Sequence, residues 1–335
     1  MSELHKFLFE GLPVRGAIVR LTEAWQEILA RRASNTHTGP YAPPVVELLG
    51  EMAAAATLMQ ANIKFNGALI LQIFGDGPVK VAVAEVKPDL SLRATAKVMG
   101  ELAADARLPD MVNVNNKGRC AITLDPKDKL PGQQPYQGVV PLFGDHGEKL
   151  GRLSEVLQHY MLQSEQLDTT LVLAADEKVA AGLLIQRLPV KGEANLEGRA
   201  AFEGVEHGQP DADEIGRNED YNRISILASS LTRDELLGLD VDTVLRRLFW
   251  EEKLMRFEPQ TGMLGPHFAC TCGRERVANM IRGLGQEEAD SILAERGDIE
   301  VGCDFCGKQY RFDAVDAAEV FTERGDRMPP SEVVQ

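Results

Sequence analysis

Four of the five cysteines lie in one C-terminal segment, in two pairs that are separated by thirty residues: Cys270-Thr271-Cys272 and Cys303-Asp304-Phe305-Cys306. Thiolates brought two by two from short turns can complete a tetrahedral zinc shell. A shell of four cysteines leaves no open position for water or substrate, so the predicted metal is structural or redox-responsive and not catalytic. Gly302 and Gly307 flank the second pair, and the alternating residues 308–312 predict a strand directly after it.

The expected compartment decides between zinc and permanent disulfides. The first ten residues lack the long apolar stretch of a secretory signal, which predicts a cytoplasmic protein. No apolar run approaches the roughly twenty residues that cross a bilayer, so no membrane partner is expected. Reducing conditions keep thiols free for zinc, and we expect one zinc ion per chain. A constitutive disulfide framework is the less favoured alternative.

The charge of the chain argues against nucleic acid as a partner. The 335 residues carry a formal net charge of −15 and have a sequence pI near 5.0, which repels phosphate backbones. Between the first and last clustered cysteines there are four arginines, no lysine and eight acidic residues. A nucleic-acid zinc module is therefore disfavoured.

Short strand-like runs and helices alternate over residues 1–215 and predict one α+β domain with a largely antiparallel sheet. The strand-like runs are at 16–21, 68–74 and 79–86. Gly75 and Gly77 lie between the last two runs and are expected to supply the positive φ values of a tight reversal. Helices are predicted from Glu23 to about Arg32, with Thr22 as a cap, and over about 44–63.

A polar, glycine-rich stretch at about 190–220 predicts a loop before a helical linker, residues 216–262. Thr232 begins a capping-box pattern, and Asp240 can cap a helix whose apolar positions recur on one face: Val241, Val244, Leu245, Leu248 and Phe249. That face indicates either ordinary core packing or a linker that can detach from a hydrophobic surface. The remaining predicted parts are a small C-terminal zinc-binding domain, 263–322, and a polar tail, 323–335.

Motifs along nearly the whole chain resemble those of the redox-regulated bacterial chaperones called heat shock protein 33, or 33 kDa chaperonin. The more specific matches are in the C-terminal third, where they keep the order and spacing of that family: 245–252, 268–276 and 303–307. Shorter matches are found at 13–16, 75–78, 136–140, 160–166 and 184–189.

The resemblance implies an ATP-independent holdase that binds unfolded or partly folded client proteins and is not an enzyme. It implies that Cys270, Cys272, Cys303 and Cys306 hold zinc in an inactive, reduced state. The resemblance further implies that oxidation joins Cys270 to Cys272 and Cys303 to Cys306, releases the zinc and unfolds the C-terminal domain and linker. The active state is expected to be a homodimer.

Two alternative functions, from other classes of protein, stay open. A thiol-disulfide oxidoreductase could use Cys303 and Cys306, although such a pair belongs at a helix start in a thioredoxin-like unit. A zinc-stabilised scaffold would show no redox switching. No catalytic site is recognised. Cys120, on an alternating strand pattern, is interpreted as a core residue, with a peroxide-sensitive thiol as the alternative. His267 lies close to Cys270 and could compete as a ligand, but with four cysteines already present a surface or packing role is preferred.

Overall fold

The computed structural model describes residues 1–35, 38–128, 133–188 and 218–322. Their contacts cluster into two units, which divide between Ala269 and Cys270. The strands of the first unit are β1 (Glu3–Phe9), β2 (Val14–Leu21), β3 (Gly67–Phe74), β4 (Val79–Val86), β5 (Ser91–Val98), β6 (Arg119–Pro126), β7 (Tyr136–Pro141), β8 (Thr169–Ala175), β9 (Ala180–Arg187), β10 (Leu254–Arg256), β11 (Gln260–Thr261) and β12 (His267–Phe268). Its helices are α1 (Glu23–Ala33), α2 (Pro43–Asn62), α3 (Leu108–Val112), α4 (Leu153–Glu165), α5 (Glu219–Ser229), α6 (Arg233–Gly238) and α7 (Val241–Phe249), with a short 3₁₀ helix at Gly262–Leu264.

The strands of the first unit form two six-stranded sheets. The first sheet has the order β10-β1-β2-β9-β8, with β11 also paired to β1, and the second has the order β12-β5-β4-β3-β6-β7. Among the described strands of this unit, every pairing is antiparallel except that of β12 with β5. The predicted α+β class with largely antiparallel pairing is confirmed.

Helix α2 lies between the two sheets and packs against strands of both. Fifteen of its twenty residues are buried, which is the pattern of a helix enclosed on all sides. Four consecutive alanines, Ala53 to Ala56, are fully buried and allow the strands to approach the helix closely. One hydrophobic core therefore spans α2 and the facing sides of both sheets.

The opposite face of the first sheet is covered by α5, α6 and α7. The predicted caps are confirmed: Thr232 forms a capping box at α6, and the Asp240 carboxylate accepts from the Thr243 N–H at the start of α7. The five apolar residues predicted on one face of α7 are all buried against this sheet. Phe249 makes an edge-to-face contact with Phe9, with a ring-centroid distance of 5.0 Å.

The second unit contains α8 (Arg274–Leu284), α9 (Gln286–Arg296), β13 (Ile299–Gly302), β14 (Gln309–Phe312) and α10 (Ala314–Thr322). The strands form an antiparallel hairpin. Among the residues of this unit that the structure describes, 270–322, the core is small and has seven buried members: Ile281, Ala289, Ile299, Tyr310, Phe312, Ala317 and Val320. A core of this size gives a domain little stability of its own.

Two details of the sequence reading are wrong. Gly75 and Gly77 are not at positive φ. Glycine is needed at both positions because other parts of the backbone come very close: a Cβ on Gly75 would lie 2.0 Å from the Val79 carbonyl oxygen, and a Cβ on Gly77 would lie 2.5 Å from the Met111 carbonyl oxygen.

The Thr22 side chain does not cap α1. The Ser2 hydroxyl accepts from the Thr22 and Ala24 N–H groups in its place.

The strand predictions at 16–21, 68–74 and 79–86 are confirmed, as are the two early helices. Most of the loop predicted at 190–220 and the tail predicted at 323–335 lie outside the described residues. The division into 1–215, 216–262 and 263–322 stays a prediction.

Candidate metal centre

The second cysteine pair lies in the turn of the β13–β14 hairpin. The Cys303 N–H donates to the Lys308 carbonyl at 3.0 Å, and the Gly307 N–H donates to the Cys303 carbonyl at 2.8 Å. Gly307 adopts a φ of 70°, which a residue with a side chain rarely tolerates. The turn therefore holds Cys303 and Cys306 on a short, hydrogen-bonded loop.

The first cysteine pair precedes α8 and is fixed by two arginines from the first turn of that helix. Arg276 donates to the Thr271 carbonyl at 3.1 Å and to its hydroxyl at 2.8 Å. Arg274 donates to the Arg311 carbonyl at 2.8 Å, pairs with Asp316 at 2.7 Å and lies 4.2 Å from the centroid of the Phe312 ring. These contacts tie the start of α8 to the hairpin and so bring the two pairs together.

The four sulfur atoms of Cys270, Cys272, Cys303 and Cys306 all lie within 4.8 Å of one another. Cys270 Sγ lies 3.7 Å from Cys303 Sγ, and Cys272 Sγ lies 3.3 Å from Cys306 Sγ. None of the four forms a disulfide bond. Zinc–sulfur bonds of about 2.3 Å in a tetrahedron place the sulfurs about 3.8 Å apart, so this cluster fits such an ion. The cluster can hold a metal ion.

Tyr310 on β14 adds a hydrogen bond to the cluster, because its hydroxyl donates to Cys272 Sγ at 3.1 Å. Burial raises the pKa of Cys272, but the hydrogen bonds from Tyr310 and the neighbouring cysteines outweigh burial and lower that pKa to about 7. Burial raises the pKa values of Cys303 and Cys306. The same hydrogen bond to Cys272 raises the pKa of Tyr310 to about 12, so the hydroxyl stays a donor.

The two other residues considered from the sequence have different environments. Cys120 on β6 is fully buried in the first unit, which confirms its assignment to the core. His267 Nδ1 donates to the Gly265 carbonyl at 3.0 Å, consistent with a packing role. Sequence analysis missed Tyr310 as a partner of the sulfur cluster. Its alternation with Phe312 indicated a buried strand face but not what the hydroxyl would contact.

Comparison with known proteins adds the decisive observation. A sequence model of the family described as "Hsp33 protein" matches residues 2–313. The chain belongs to the Hsp33 family.

Curated members of the Hsp33 family are similar over almost their whole length. The 33 kDa chaperonin of Chromobacterium violaceum is 43% identical over 320 residues, which cover 96% of this chain and 94% of the relative. The 33 kDa chaperonin of Methylobacillus flagellatus is 42% identical over 322 residues, with the same coverage of both chains. Membership of this chaperone family supports a chaperone function.

A solved structure has the same fold. The crystal structure of the 33 kDa chaperonin, a heat shock protein 33 homologue from Thermotoga maritima, superposes with a TM-score of 0.67 at 20% identity and covers 96% of this chain and 98% of that one. Within the described residues, every helix is too short or too polar to span a bilayer.

Proposed function

We propose that the protein is a redox-regulated, ATP-independent holdase of the cytoplasm that binds unfolded or partly folded client proteins. The observation that carries the proposal is the cluster of four cysteines whose sulfur atoms all lie within 4.8 Å of one another, none of them in a disulfide, in a unit with a very small core. The reduced protein is the inactive state, and oxidation of the cluster produces the active one, which forms a homodimer.

Cys270, Cys272, Cys303 and Cys306 are the proposed ligands of one zinc ion per chain in the reduced state. A bound zinc ion would neutralise part of the thiolate charge and cross-link the two loops. Tyr310 stabilises Cys272 as a thiolate through its hydroxyl, and Arg274 and Arg276 hold the first loop in place. Thiolates are the form of cysteine that oxidants attack, so the same residues act as the sensor.

Oxidation converts the four ligands into two disulfides, Cys270 with Cys272 and Cys303 with Cys306. Each disulfide forms from two thiolates with loss of two electrons, and one hypochlorous acid takes up these electrons and one proton from water to give chloride and water. Disulfide sulfurs are not thiolate ligands, so a bound ion is lost. The sulfur distances permit all three pairings, and the choice among them rests on the family resemblance.

Loss of the cross-link removes most of the stability of the second unit. A structural zinc contributes roughly 10–16 kcal/mol of apparent binding free energy in small domains, which is more than a core of seven buried residues can replace. The proposed disulfides close only very short loops and leave the residues between the pairs unconstrained. The second unit therefore unfolds when the cluster is oxidised.

Unfolding then extends into the segment that precedes Cys270 and releases α5, α6 and α7 from the first sheet. These helices cover an apolar face that includes Phe7, Phe9, Ile18, Leu183 and Ile185. An exposed apolar surface of this kind binds unfolded chains. Client binding therefore needs no ATP, because oxidation supplies the free energy that uncovers the surface.

The oxidoreductase alternative is weakened by the position of the second pair. Cys303 and Cys306 lie in a hairpin turn between two strands and not at the start of a helix, where a helix dipole would activate an exchanging thiol. The experiment below distinguishes a structural scaffold from a holdase.

The test measures metal release and holdase activity in the same sample. Full-length protein is treated with hypochlorite without ATP, zinc is followed with a colorimetric chelator, and aggregation of a chemically unfolded protein is followed by light scattering. We expect one zinc to leave per chain as aggregation is suppressed, and both changes to reverse with reductant and added zinc. Release of zinc without holdase activity would favour the scaffold.

Two cysteine variants form a matched pair for this test. Cys303→Ser removes one proposed ligand and one disulfide, and we expect it to lose the reversible switch. Cys120→Ser changes a fully buried cysteine outside the cluster and should keep the switch. Equal behaviour of the two variants would contradict the assignment of the cluster as the sensor.

A further inference from the structure

The outer edge of the first sheet is covered by the chain itself. Residues 254–261, here called the edge segment, run antiparallel along β1, with Leu8 opposite Met255 and Leu4 opposite Gln260. The Phe257 N–H donates to the Lys6 carbonyl at 3.0 Å, and the Glu10 N–H donates to the Lys253 carbonyl at 2.9 Å. The unpaired backbone groups of β1 are thus satisfied by an extended piece of polypeptide.

This pairing is built to be weak. Strands β10 and β11 have only three and two residues, and residues 258 and 259 interrupt the pairing between them. Pro259 has no N–H to donate. Met255 and Phe257 are about half exposed, so their side chains contribute little burial that would hold the segment in place. A seven-residue strand, β1, is therefore covered by a segment that another extended chain could replace.

The same part of the chain also leads directly to the second unit. After the edge segment, β12 pairs with β5 at the edge of the second sheet, where the Ala269 N–H donates to the Leu92 carbonyl at 3.1 Å. The next residue is Cys270. The edge segment is therefore separated from the first clustered cysteine by only eight residues, and its release follows from the unfolding proposed above.

We propose that the edge of β1 is a client-binding site, and that oxidation lets an extended segment of an unfolded client add to this edge as a new antiparallel strand in place of the edge segment. This inference rests on the proposed function for the release step. The edge segment shows what kind of ligand this site would bind. The ligand would be an extended peptide whose backbone groups are free to pair, with an apolar side chain in the position of Leu254, which packs on the apolar face of the sheet.

Backbone pairing explains how one surface binds many sequences. Main-chain hydrogen bonds are common to every extended chain, whereas the side-chain contacts of the edge segment are few. Arg256 pairs with Asp242 on α7 at 2.6 Å and contacts His5 on β1 at 3.1 Å, so only the second of these two side-chain contacts involves β1. A client lacking an arginine at this place can still form the strand.

The first test does not depend on oxidation. Full-length, reduced Met255→Pro/Phe257→Pro protein cannot pair its own edge segment with β1, and both residues are exposed enough to leave the core intact. We expect it to bind a labelled peptide of residues 252–262 at least tenfold more tightly than the reduced wild type does, as measured by fluorescence anisotropy.

Two methylated peptides form the matched control. N-methylation of Phe257 removes the N–H that donates to the Lys6 carbonyl. N-methylation of Arg256 removes the neighbouring N–H, which points away from β1 because successive N–H groups of a strand point to opposite sides. We expect the first to bind the proline variant about tenfold or more weakly than the second. Equal binding of the two peptides, or no binding to a variant that keeps the buried Trp25 fluorescence of the wild type, would overturn the proposal.

The second test uses the wild-type chain and amide hydrogen exchange at Glu10. We expect its amide to be protected in the reduced protein, to exchange quickly after hypochlorite treatment, and to be protected again when reduced and carboxymethylated α-lactalbumin, a permanently unfolded protein, is bound. A Glu10 amide that stays protected after oxidation, or that stays unprotected while the client is held, would overturn the proposal. If peptides bind the proline variant but the oxidised wild type binds no client, the proposed redox-regulated holdase function is contradicted, whereas the proposed strand-binding edge of β1 is supported.

Discussion

Cys120 and the clustered cysteines differ in chemistry because their surroundings differ. Burial raises the pKa of the Cys120 thiol to about 12, so the reactive thiolate is rare at pH 8. We expect Cys120 to stay unmodified by iodoacetamide in folded protein and to react only after unfolding. Peptide mass spectrometry of reduced, alkylated protein measures this. Alkylation of Cys120 at the rate of the clustered cysteines would contradict its burial.

Tyr310 contacts the proposed metal centre without being one of its proposed ligands. Its hydroxyl donates to Cys272 Sγ at 3.1 Å, while its ring belongs to the core of the second unit. Groups of this kind change metal affinity by about 10–100-fold when they are removed. We expect Tyr310→Phe to keep the fold but to bind zinc about tenfold more weakly in competition with a chelator. Arg311→Gln, on the exposed side of the same strand, is the control, and an equal loss in both variants would contradict the role of the hydroxyl.

Helix α6 is held on the first sheet by an arginine that satisfies its C-terminal carbonyls. The Arg20 guanidinium on β2 donates to the carbonyls of Leu236, Leu237 and Leu239 at 2.8, 3.1 and 2.7 Å. Hydrogen bonds from a charged group are worth about 1.5–3 kcal/mol each, and a helix end left without donors loses stability.

We therefore expect Arg20→Met to loosen α6 while the cysteine cluster stays reduced. The variant should be cleaved by a protease within residues 218–253 at least tenfold faster than the wild type, and it should bind more of an apolar fluorescent dye. Arg246→Met, at an exposed position on α7, is the matched control. Unchanged protease resistance in Arg20→Met would show that apolar packing alone holds α6.

Helix α2 carries a carboxyl group whose protonation should couple to α6. Burial and the neighbouring Glu47 raise the pKa of Glu51 to about 8, and the charges of Arg233 and Arg152 offset this only in part. The folded-state pKa lies above the ordinary value of 4.5, so the folded protein keeps a proton that the unfolded chain releases. The stability from this group is complete below about pH 4.5 and is lost as the pH rises through about 8.

We expect Glu51→Gln to remove this part of the pH dependence. The free energy of unfolding is measured with urea at pH 5.5 and pH 8. The variant should be clearly more stable than the wild type at pH 8 and only slightly more stable at pH 5.5. The exposed Glu177→Gln variant is the control and should follow the wild type at both values. A Glu51→Gln variant that is equally stabilised or destabilised at both pH values would contradict the raised pKa.

The arrangement of the whole molecule could be predicted only in part from its sequence. Local signals were strong where one residue type decides the structure, as with the cap at Asp240, the apolar stripe of α7 and the cysteine pairs. Burial of α2 between two sheets could not be predicted, because an alanine-rich helix does not reveal how many layers enclose it. Strands β10 to β12 were missed because two or three residues are too few to show a period.

The two units differ in what holds them together, and this leads to a prediction about their unfolding. Both tryptophans belong to the first unit, where Trp25 is fully buried and Trp250 is 74% exposed, so a change in tryptophan emission reports the core around Trp25. The second unit has seven buried core residues within the described range 270–322 and depends on the proposed zinc cross-link. Its stability should therefore disappear with the metal while the first unit stays folded.

We expect that a strong chelator, with the thiols kept reduced, makes the second unit unfold at a low urea concentration. The helical circular dichroism of α8, α9 and α10 should be lost there, whereas the Trp25 emission should change only at a higher urea concentration. Without chelator, Cys303→Ser should give the same early loss, because it lacks one of the four sulfurs. Coincident transitions by both probes in the chelated protein would mean that the two units unfold as one cooperative body, and a metal centre of four cysteines could not then act as a local switch.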